Sequence, residues 1–496
     1  MTDDRHDQTR PVSGEQDLDP RRWHVLAVTL VVGFMSLLDV SIVNVAIPSM
    51  QSGLSTTSGT IQWVVSGYAL TFGLTLVAGG RLGDSFGRRR MMLIGLSAFV
   101  VTSAAVGLAP TAAWVVAARL LQGAAAGLLT PQNSGLIQEL FRGAERGRAF
   151  GAFGFTVSFA SAVGPVLGGA IIAVAGEQTG WRYLFLVNVP IGVAGLVAVA
   201  RMVPRRQPDA EGGAHIDLAG AALLGLAVLC LLYPVVSAES GARLPLLLLV
   251  GLPVFGWAFT RWEGRLVARG REPLLDLGLL RRLPGFLNGM GVGALYFTGF
   301  TGLLLVLSVY FQDALGLSPL AAGLLLLPFA GGSAVSAILA GRVVTTIGRR
   351  LTVGALSTIV VATGLAAVLL PGHGADGLWV VAVPTLLLAG LGGGAVVSPN
   401  ITLTLADVPP RMGGAVGGAL QTSQRIGSSI GAALLMTVYL TVSRASGAQS
   451  GLRTALLTGA ALLLTSLAMA VKAMRSQPEQ GRSAGVGPPP RHPGAT

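Results

Sequence analysis

Long apolar stretches, separated by short polar and arginine-containing breaks, succeed one another along almost the whole chain. They fall near 24–48, 60–80, 91–109, 112–133, 149–175, 183–203, 217–237, 244–261, 285–311, 318–341, 351–371, 377–399, 413–442 and 452–474. Most reach the roughly 20 residues that a helix needs to cross a bilayer. The pattern predicts an all-α membrane protein with fourteen transmembrane helices. The segments 217–237 and 244–261 carry the weakest signal, and without them twelve spans keep the same orientation.

Composition agrees with that class. The chain is 52% hydrophobic and 11% charged, where soluble proteins carry about 25% charged residues. Seventy glycines suit helices that pack closely in a membrane. The net charge of +12 does not point to nucleic acid, because the arginines recur in short clusters between apolar stretches and form no single patch. With both termini placed in the cytoplasm, only Arg182, Arg243, Arg444 and Arg453 fall in outer loops, and Arg119 and Arg425 fall within spans. The rest of the 34 Lys and Arg lie on the inner side, as the positive-inside rule requires. Trp23, Trp63, Trp114, Trp181, Trp257, Trp262 and Trp379 lie at or near span ends, as an interfacial belt predicts. Cys230 is the only cysteine, which excludes a disulfide framework and a cysteine metal cluster. The first apolar stretch is too long for a signal-peptide core and lacks a small-residue cleavage site after it. The polar residues 1–22 and the Pro-, Gly- and Ser-rich residues 476–496 are expected to be disordered cytoplasmic tails.

The chain repeats itself. Gly80-Arg81 with Gly87-Arg88-Arg89 recurs at a constant offset as Gly341-Arg342 with Gly348-Arg349-Arg350. That offset fits two six-helix bundles, 23–203 and 284–475, separated by a segment 204–283 that adds two helices. Within that segment, Arg261–Leu283 mixes arginines with Leu274, Leu275, Leu279 and Leu280, and reads as an amphipathic stretch along the cytoplasmic face.

Three ionisable side chains are placed deep in the spans: Asp39, Arg119 and Arg425. A carboxylate at membrane depth is costly and is kept where it faces a cavity, a partner or a proton path. Counted from the outer ends, Asp39 and Arg119 lie at similar depth, roughly 10–14 Å down. Arg119 either snorkels or serves as a fixed cation that tunes a carboxylate. Asp39 is either a proton carrier or a hydrogen-bonding strut with Ser41 or Asn44. Arg425 either binds an acidic or phenolic ligand or pairs with groups such as Gln421. Asn44, Gln122, Asn288, Gln421 and Arg425 make up the candidate cavity set between the halves.

Gly80 through Arg90 resembles the loop 2–3 signature of the major facilitator superfamily, with Ser85 where that family often has arginine. The resemblance implies a conformational gate built on Gly80, Asp84, Gly87, Arg88 and Arg89. Physically, Asp84 can accept hydrogen bonds from a helix N-terminus, whose partial positive charge favours an anion. The plainer reading is a cytoplasmic turn with topogenic charge. In the second copy Thr345 replaces the aspartate, so only the first half can form a charged latch. Arg119-Leu120-Leu121-Gln122-Gly123 resembles the superfamily's fourth-helix motif, in which the arginine is linked to proton coupling. Gly151, Ala160, Gly164-Pro165 and Gly168-Gly169 resemble its antiporter motif, with alanine in one glycine position. Ala160, Gly164 and Gly168 recur every four residues and so share one small-residue face. Asp39 through Pro48 and Trp181 through Pro190 resemble segments of the fourteen-helix drug/proton antiporters, the multidrug-efflux branch with actinobacterial antibiotic exporters.

These resemblances imply a proton-coupled antiporter of the cytoplasmic membrane. It would export drugs, antibiotics or related, largely apolar molecules by alternating access, with Asp39 and Arg119 coupling the proton. The expected partners are a drug-like small molecule, protons and membrane lipids, with no nucleic acid, no metal and no cofactor beyond the coupling proton, and a monomer as the working unit. A proton-coupled importer or exporter of a specific metabolite is the nearer rival. A polytopic membrane enzyme is the remoter one, because His6, His24, His215, His373 and His492 all fall outside the deep parts of the spans.

Overall fold

The computed structural model describes residues 20–56, 58–205, 217–239, 244–271, 273–283 and 285–476. The expected tails 1–22 and 476–496 fall almost wholly outside these residues, as do 206–216 of the linker, Arg243, and His6, His215 and His492. Among the described residues the chain is all helical, with no strand.

A first group comprises α1 (Arg22–Gly53), α2 (Ser58–Phe86), α3 (Arg88–Gly107), α4 (Ala112–Leu140), α5 (Gly143–Ala175), α6 (Gly180–Leu186) and α7 (Asn188–Met202). Then come α8 (Leu218–Glu239), a 3-10 turn (Leu244–Val250), α9 (Gly251–Ala268) and the short α10 (Leu277–Arg282). A second group completes the chain: α11 (Phe286–Val309), continued by a π-turn (Tyr310–Ala314), α12 (Pro319–Ile347), α13 (Arg349–Leu369), α14 (Ala375–Thr404), α15 (Gly413–Ser446) and α16 (Ala448–Ser476). Thirteen of the described helical stretches are long and apolar enough to cross a membrane, and the stretch Leu218–Pro234 is shorter. The structure therefore supports thirteen of the fourteen expected spans at full length. The shortfall falls on 217–237, one of the two segments with the weakest signal.

Local chemistry sets the helix ends. Thr111 caps α4 by accepting from the Trp114 amide, and Ser318 caps α12 by accepting from Ala321, with Pro319 in the first turn. Gly87 between α2 and α3 and Gly348 between α12 and α13 both have positive φ, +93° and +62°. The repeated glycine is thus the residue that permits each sharp turn, since a Cβ would be strained there.

Each group buries its own core. Met35, Tyr68, Phe72, Phe99 and Leu129 pack inside the first, and Tyr296, Tyr310, Phe311, Leu356 and Leu435 inside the second. A third cluster joins Leu26, Ile137, Phe141 and Phe150 to Leu274, Leu275, Phe286, Leu405 and Val408. It closes the end of the molecule that carries the arginine-rich turns. Helix α8 packs on α2 through Leu70, Leu232, Trp63 and Tyr233.

Two expectations about this frame need correction. Arg261–Leu283 is not one surface-lying stretch, because α9 continues to Ala268 and only α10 with its leader turns along the end. Leu274 and Leu275 are buried, so the apolar side of that leader is a plug in the third cluster. Glu263, near the end of α9, is 1% exposed. Its Oε2 accepts from the Leu275 amide at 3.1 Å and so holds the leader in place. Trp181, assigned to the interfacial belt, is fully enclosed among Ile42, Val43, Met50 and Phe185. Trp23, Trp114, Trp257 and Trp379 are exposed as the belt predicts.

Candidate functional site

Asp39 sits in the middle of α1, wholly buried, and Arg119 on α4 is 1% exposed. Their side chains form an ion pair, Arg119 Nη1 to Asp39 Oδ2. Further hydrogen bonds surround the pair. Arg119 Nε donates to the Val64 carbonyl at 3.0 Å and Nη1 to Gln122 Oε1 at 2.9 Å. Gln122 Nε2 donates to Asp39 Oδ1 at 3.2 Å and to Ser103 Oγ at 2.6 Å. Asn188 Nδ2 donates to Asp39 Oδ1 at 3.1 Å. The Arg119 guanidinium also lies 4.0 Å above the Tyr68 ring and 5.5 Å from that of Phe185. Five elements of the first group, α1, α2, α3, α4 and the α6–α7 segment, thus converge on one carboxylate. Buried pairs of this kind hold only when further hydrogen bonds satisfy both ions, and here they do.

This geometry decides several open readings. Arg119 does not snorkel. Ser41 does not strut Asp39, because its hydroxyl donates to the carbonyls of Leu38 and Ala160. The side chain of Asn44 lies outside the described residues. Ser103, Tyr68 and Asn188 were not singled out as partners in the sequence. Asn188 carried a signal, as the lone amide between Val187 and Val189 in an apolar run. Ser103 and Tyr68 carried none, because nothing local shows which way they face.

A second polar cluster lies at the arginine-rich end. Asp84 Oδ1 accepts from the Gly414 amide at 3.0 Å and Oδ2 from the Ala415 amide at 2.8 Å. Both amides belong to the first turn of α15, so Asp84 of one half caps a helix of the other. Arg88 Nη2 pairs with Asp84 Oδ1 at 2.9 Å, and Arg88 also donates to Glu139 Oε2 at 2.9 Å and to the Pro410 carbonyl at 3.0 Å. Arg89 donates to the Ala200 carbonyl. A Cβ on Gly80 would stand 2.1 Å from the Gly414 carbonyl oxygen, so glycine there allows α2 and α15 to touch backbone to backbone. These contacts and the third apolar cluster hold the arginine-rich end shut. Asp84 and Arg88, expected in the loop between two spans, are themselves buried.

The small residues of α5 split between two neighbours. A Cβ on Gly164 would meet Ser41 Oγ at 2.0 Å and the Ile42 amide at 3.1 Å, so this position packs on α1 with Ala160. Gly151 packs on Gly341 of α12, and Pro165 points toward Gly323 of α12. Gly168 is buried, whereas a Cβ on Gly169 would meet open space. Ala160 and Gly164 thus share the α1 side, while Gly151 and Pro165 face α12, so α5 lies as a wedge between the two helices.

The cavity set is not gathered in one place. Gln122 belongs to the Asp39 cluster. Gln421 Nε2 donates to Ser134 Oγ at 3.0 Å in the closed end. Asn288 lies in the first turn of α11, with its Oδ1 buried and without a partner. Arg425 stacks on the Phe72 ring at 4.7 Å.

The Major Facilitator Superfamily model matches residues 29–432. The "Probable actinorhodin transporter" of Streptomyces coelicolor is 37% identical over 415 residues, covering 82% of this chain and 70% of the relative. The "Tetracenomycin C resistance and export protein" of Streptomyces glaucescens is 31% identical over 444 residues, covering 85% and 77% respectively. Among solved structures, the human organic anion transporter MFSD10 matches with a TM-score of 0.65 at 18% identity, over 91% of this chain and 100% of that one, a likeness of fold.

Proposed function

The chain belongs to the Major Facilitator Superfamily, a multi-pass membrane transporter with drug-efflux relatives, and from that premise we propose that it is a proton-coupled antiporter. It exports drug-like, largely apolar small molecules across the cytoplasmic membrane by alternating access. The observation that carries the reading is the Asp39–Arg119 pair, a titratable carboxylate sealed inside one bundle.

The mechanism builds on that geometry. While Asp39 is ionised, Arg119, Gln122 and Asn188 all point at it and lock α1 to α4 and to the start of α7. Protonation removes the charge that Arg119 neutralises and so weakens the pair, while the bonds of Arg119 to Val64 and Gln122 remain. The first bundle then has a reason to repack. Arg119 is protonated throughout, so it acts as a fixed counter-charge and not as a proton donor. Gly164 and Ala160 seat α5 directly behind Asp39's helix at Ser41, so a shift of α1 is passed to the helix that borders the other half. At the arginine-rich end, taken as cytoplasmic, Asp84 must release the α15 amides before the halves part. The names of the relatives, an actinorhodin transporter and a tetracenomycin C exporter, support a drug-like cargo moving outward.

The test is purified protein in liposomes with an imposed pH gradient, a fluorescent drug and an internal pH dye. Drug and protons should move in opposite directions, and Asp39→Asn should abolish the coupling while the protein still folds. Parallel movement of drug and protons, or wild-type coupling by Asp39→Asn, would remove the proposal.

A further inference from the structure

Of the three charges placed deep in the spans, Arg425 is the one outside the Asp39–Arg119 ion pair. It lies 12 positions into α15, which begins at Gly413, roughly 18 Å from that end of the helix. That depth prevents a full snorkel. Among the described residues no carboxylate and no hydrogen-bond acceptor meets its guanidinium, which instead lies over the Phe72 face at 4.7 Å. Gln421, the partner the sequence offered, donates its Nε2 to Ser134 Oγ. Arg425 nonetheless keeps some accessible surface inside the protein. Asp39 offers no compensation, because Arg119 already neutralises it. An arginine in this setting is costly, and an anion would offset that cost.

The surroundings define the rest of the anion. Phe72 supplies a ring face beneath the guanidinium. Phe72 stacks in turn on Tyr68, at 5.9 Å between centroids, and Tyr68 lies under Arg119. On the other half, the Cβ position of Gly427 is 3.0 Å from the Thr298 hydroxyl, which sets α11 level with this part of α15. Phe297 and Phe300 flank Thr298, and Phe300 stacks on Tyr296 at 5.4 Å and on Phe329 at 5.0 Å. Planar guanidinium over one ring, with the half-buried Phe297 and Phe300 at the same depth backed by the buried Tyr296 and Phe329, suits a flat ligand bearing one carboxylate or phenolate.

We propose that Arg425 is the anchor of the cargo site and that the cargo class is planar aromatic acids, held by the guanidinium through their carboxylate or phenolate and by ring faces through their body. This rests on the exporter reading above. In the deprotonated state the Asp39–Arg119 pair is neutral, so Arg425 is then the net charge that the cargo meets. The file Asp39, Arg119, Tyr68, Phe72, Arg425 links the proton site to the cargo site through a direct contact at every step.

The experiment measures binding of two probes of the same shape, anthraquinone-2-carboxylate and its neutral carboxamide, to purified protein in lipid nanodiscs. Wild type should prefer the carboxylate by at least about tenfold, a size that matches one charge-assisted hydrogen bond. Arg425→Gln should bind both probes alike, and Arg425→Lys should keep part of the preference. Equal binding of the two probes by wild type, or a preference that survives in Arg425→Gln, would overturn the proposal. Ethidium export in exchange for protons is run in parallel. If it proceeds while wild type shows no carboxylate preference, the anion site fails and antiport stands. If the preference depends on Arg425 but no probe or drug moves against protons, the site stands and antiport fails.

Discussion

The two halves meet along two seams that descend from one repeated sequence and are built differently. On the first, Gly80 of α2 touches the backbone of Gly414 in α15. On the second, Gly341 of α12 stands with its Cβ position 2.6 Å from Gly151 Cα and from the Gly147 carbonyl of α5. In both, the repeated glycine lets a helix of one half rest on the backbone of the other. The residue one turn beyond each glycine differs. Four residues on from Gly80 stands Asp84, buried and capping α15, whereas four on from Gly341 stands Thr345, exposed. The second seam carries no charge of that kind and runs on through a Ser158–Ser333 hydroxyl contact at 2.8 Å and Pro165 opposite Gly323. One seam is held by an ion and the other by shape. Under the alternating-access proposal, the first is the contact expected to break and the second the contact expected to persist.

The comparison breaks most severely if Gly341 is filled. Gly341→Leu forces a side chain into α5 backbone on which nothing can rotate away. Overpacking costs about 1–3 kcal/mol and occasionally more, so thermal unfolding in lipid should drop clearly and export should cease. An unchanged melting curve would mean that the second seam is not packed backbone to backbone.

Gly164→Leu attacks the same wedge from its α1 side. Ser41 can turn aside but the Ile42 amide cannot, so drug export should be lost even where the protein reaches the membrane. The control has to be chosen from the structure. Ile172 backs onto Gly180 of α6, whereas Val174 is 91% exposed. Val174→Leu should export as wild type does. Normal export by Gly164→Leu would separate the α5 motif from transport.

Asp84→Asn sharpens the difference between the seams. The amide keeps one acceptor oxygen, so one α15 amide loses its partner, and Arg88 loses its ion pair with residue 84 while keeping that with Glu139. A buried donor left unsatisfied costs about 1–3 kcal/mol, which shifts the balance between closed and open arginine-rich ends by roughly five- to a hundredfold. Spin-label distances across α2 and α15 should lengthen, with cargo binding preserved. Thr345→Asn should leave those distances alone. If both or neither move them, the two seams are equivalent and the latch assignment falls. The smallest effect is expected for Gly169→Ala, where a Cβ meets open space. Stability and export should stay within about 0.5 kcal/mol of wild type.

Legibility tracked locality. Span order, the turns at Gly87 and Gly348 and the unusual Asp39, Arg119 and Arg425 were all readable, because each rests on hydropathy or on the needs of a single residue. The capping potential of Asp84 was readable too, but not that α15 would be the helix it caps. The stretch Arg261–Leu283 was misread because its arginines made it look surface-lying throughout, while α9 in fact extends to Ala268. Trp181 was misplaced because span-end position predicts an interfacial ring, whereas α6 turns it into a closed apolar cluster.

The sequence alone thus determined a multi-pass helical transporter, its repeated halves and the short roll of charges able to work inside it. A helix in lipid satisfies its own backbone, so segment hydropathy suffices to place it. Only the tertiary structure decided that Gln122, Asn188 and Ser103 surround one carboxylate, that α5 serves α1 and α12 at once, and that Arg425 is left without a counter-charge among the described residues. Those facts depend on how each helix is rotated and which neighbour it meets, and that is set by packing between segments far apart in the chain.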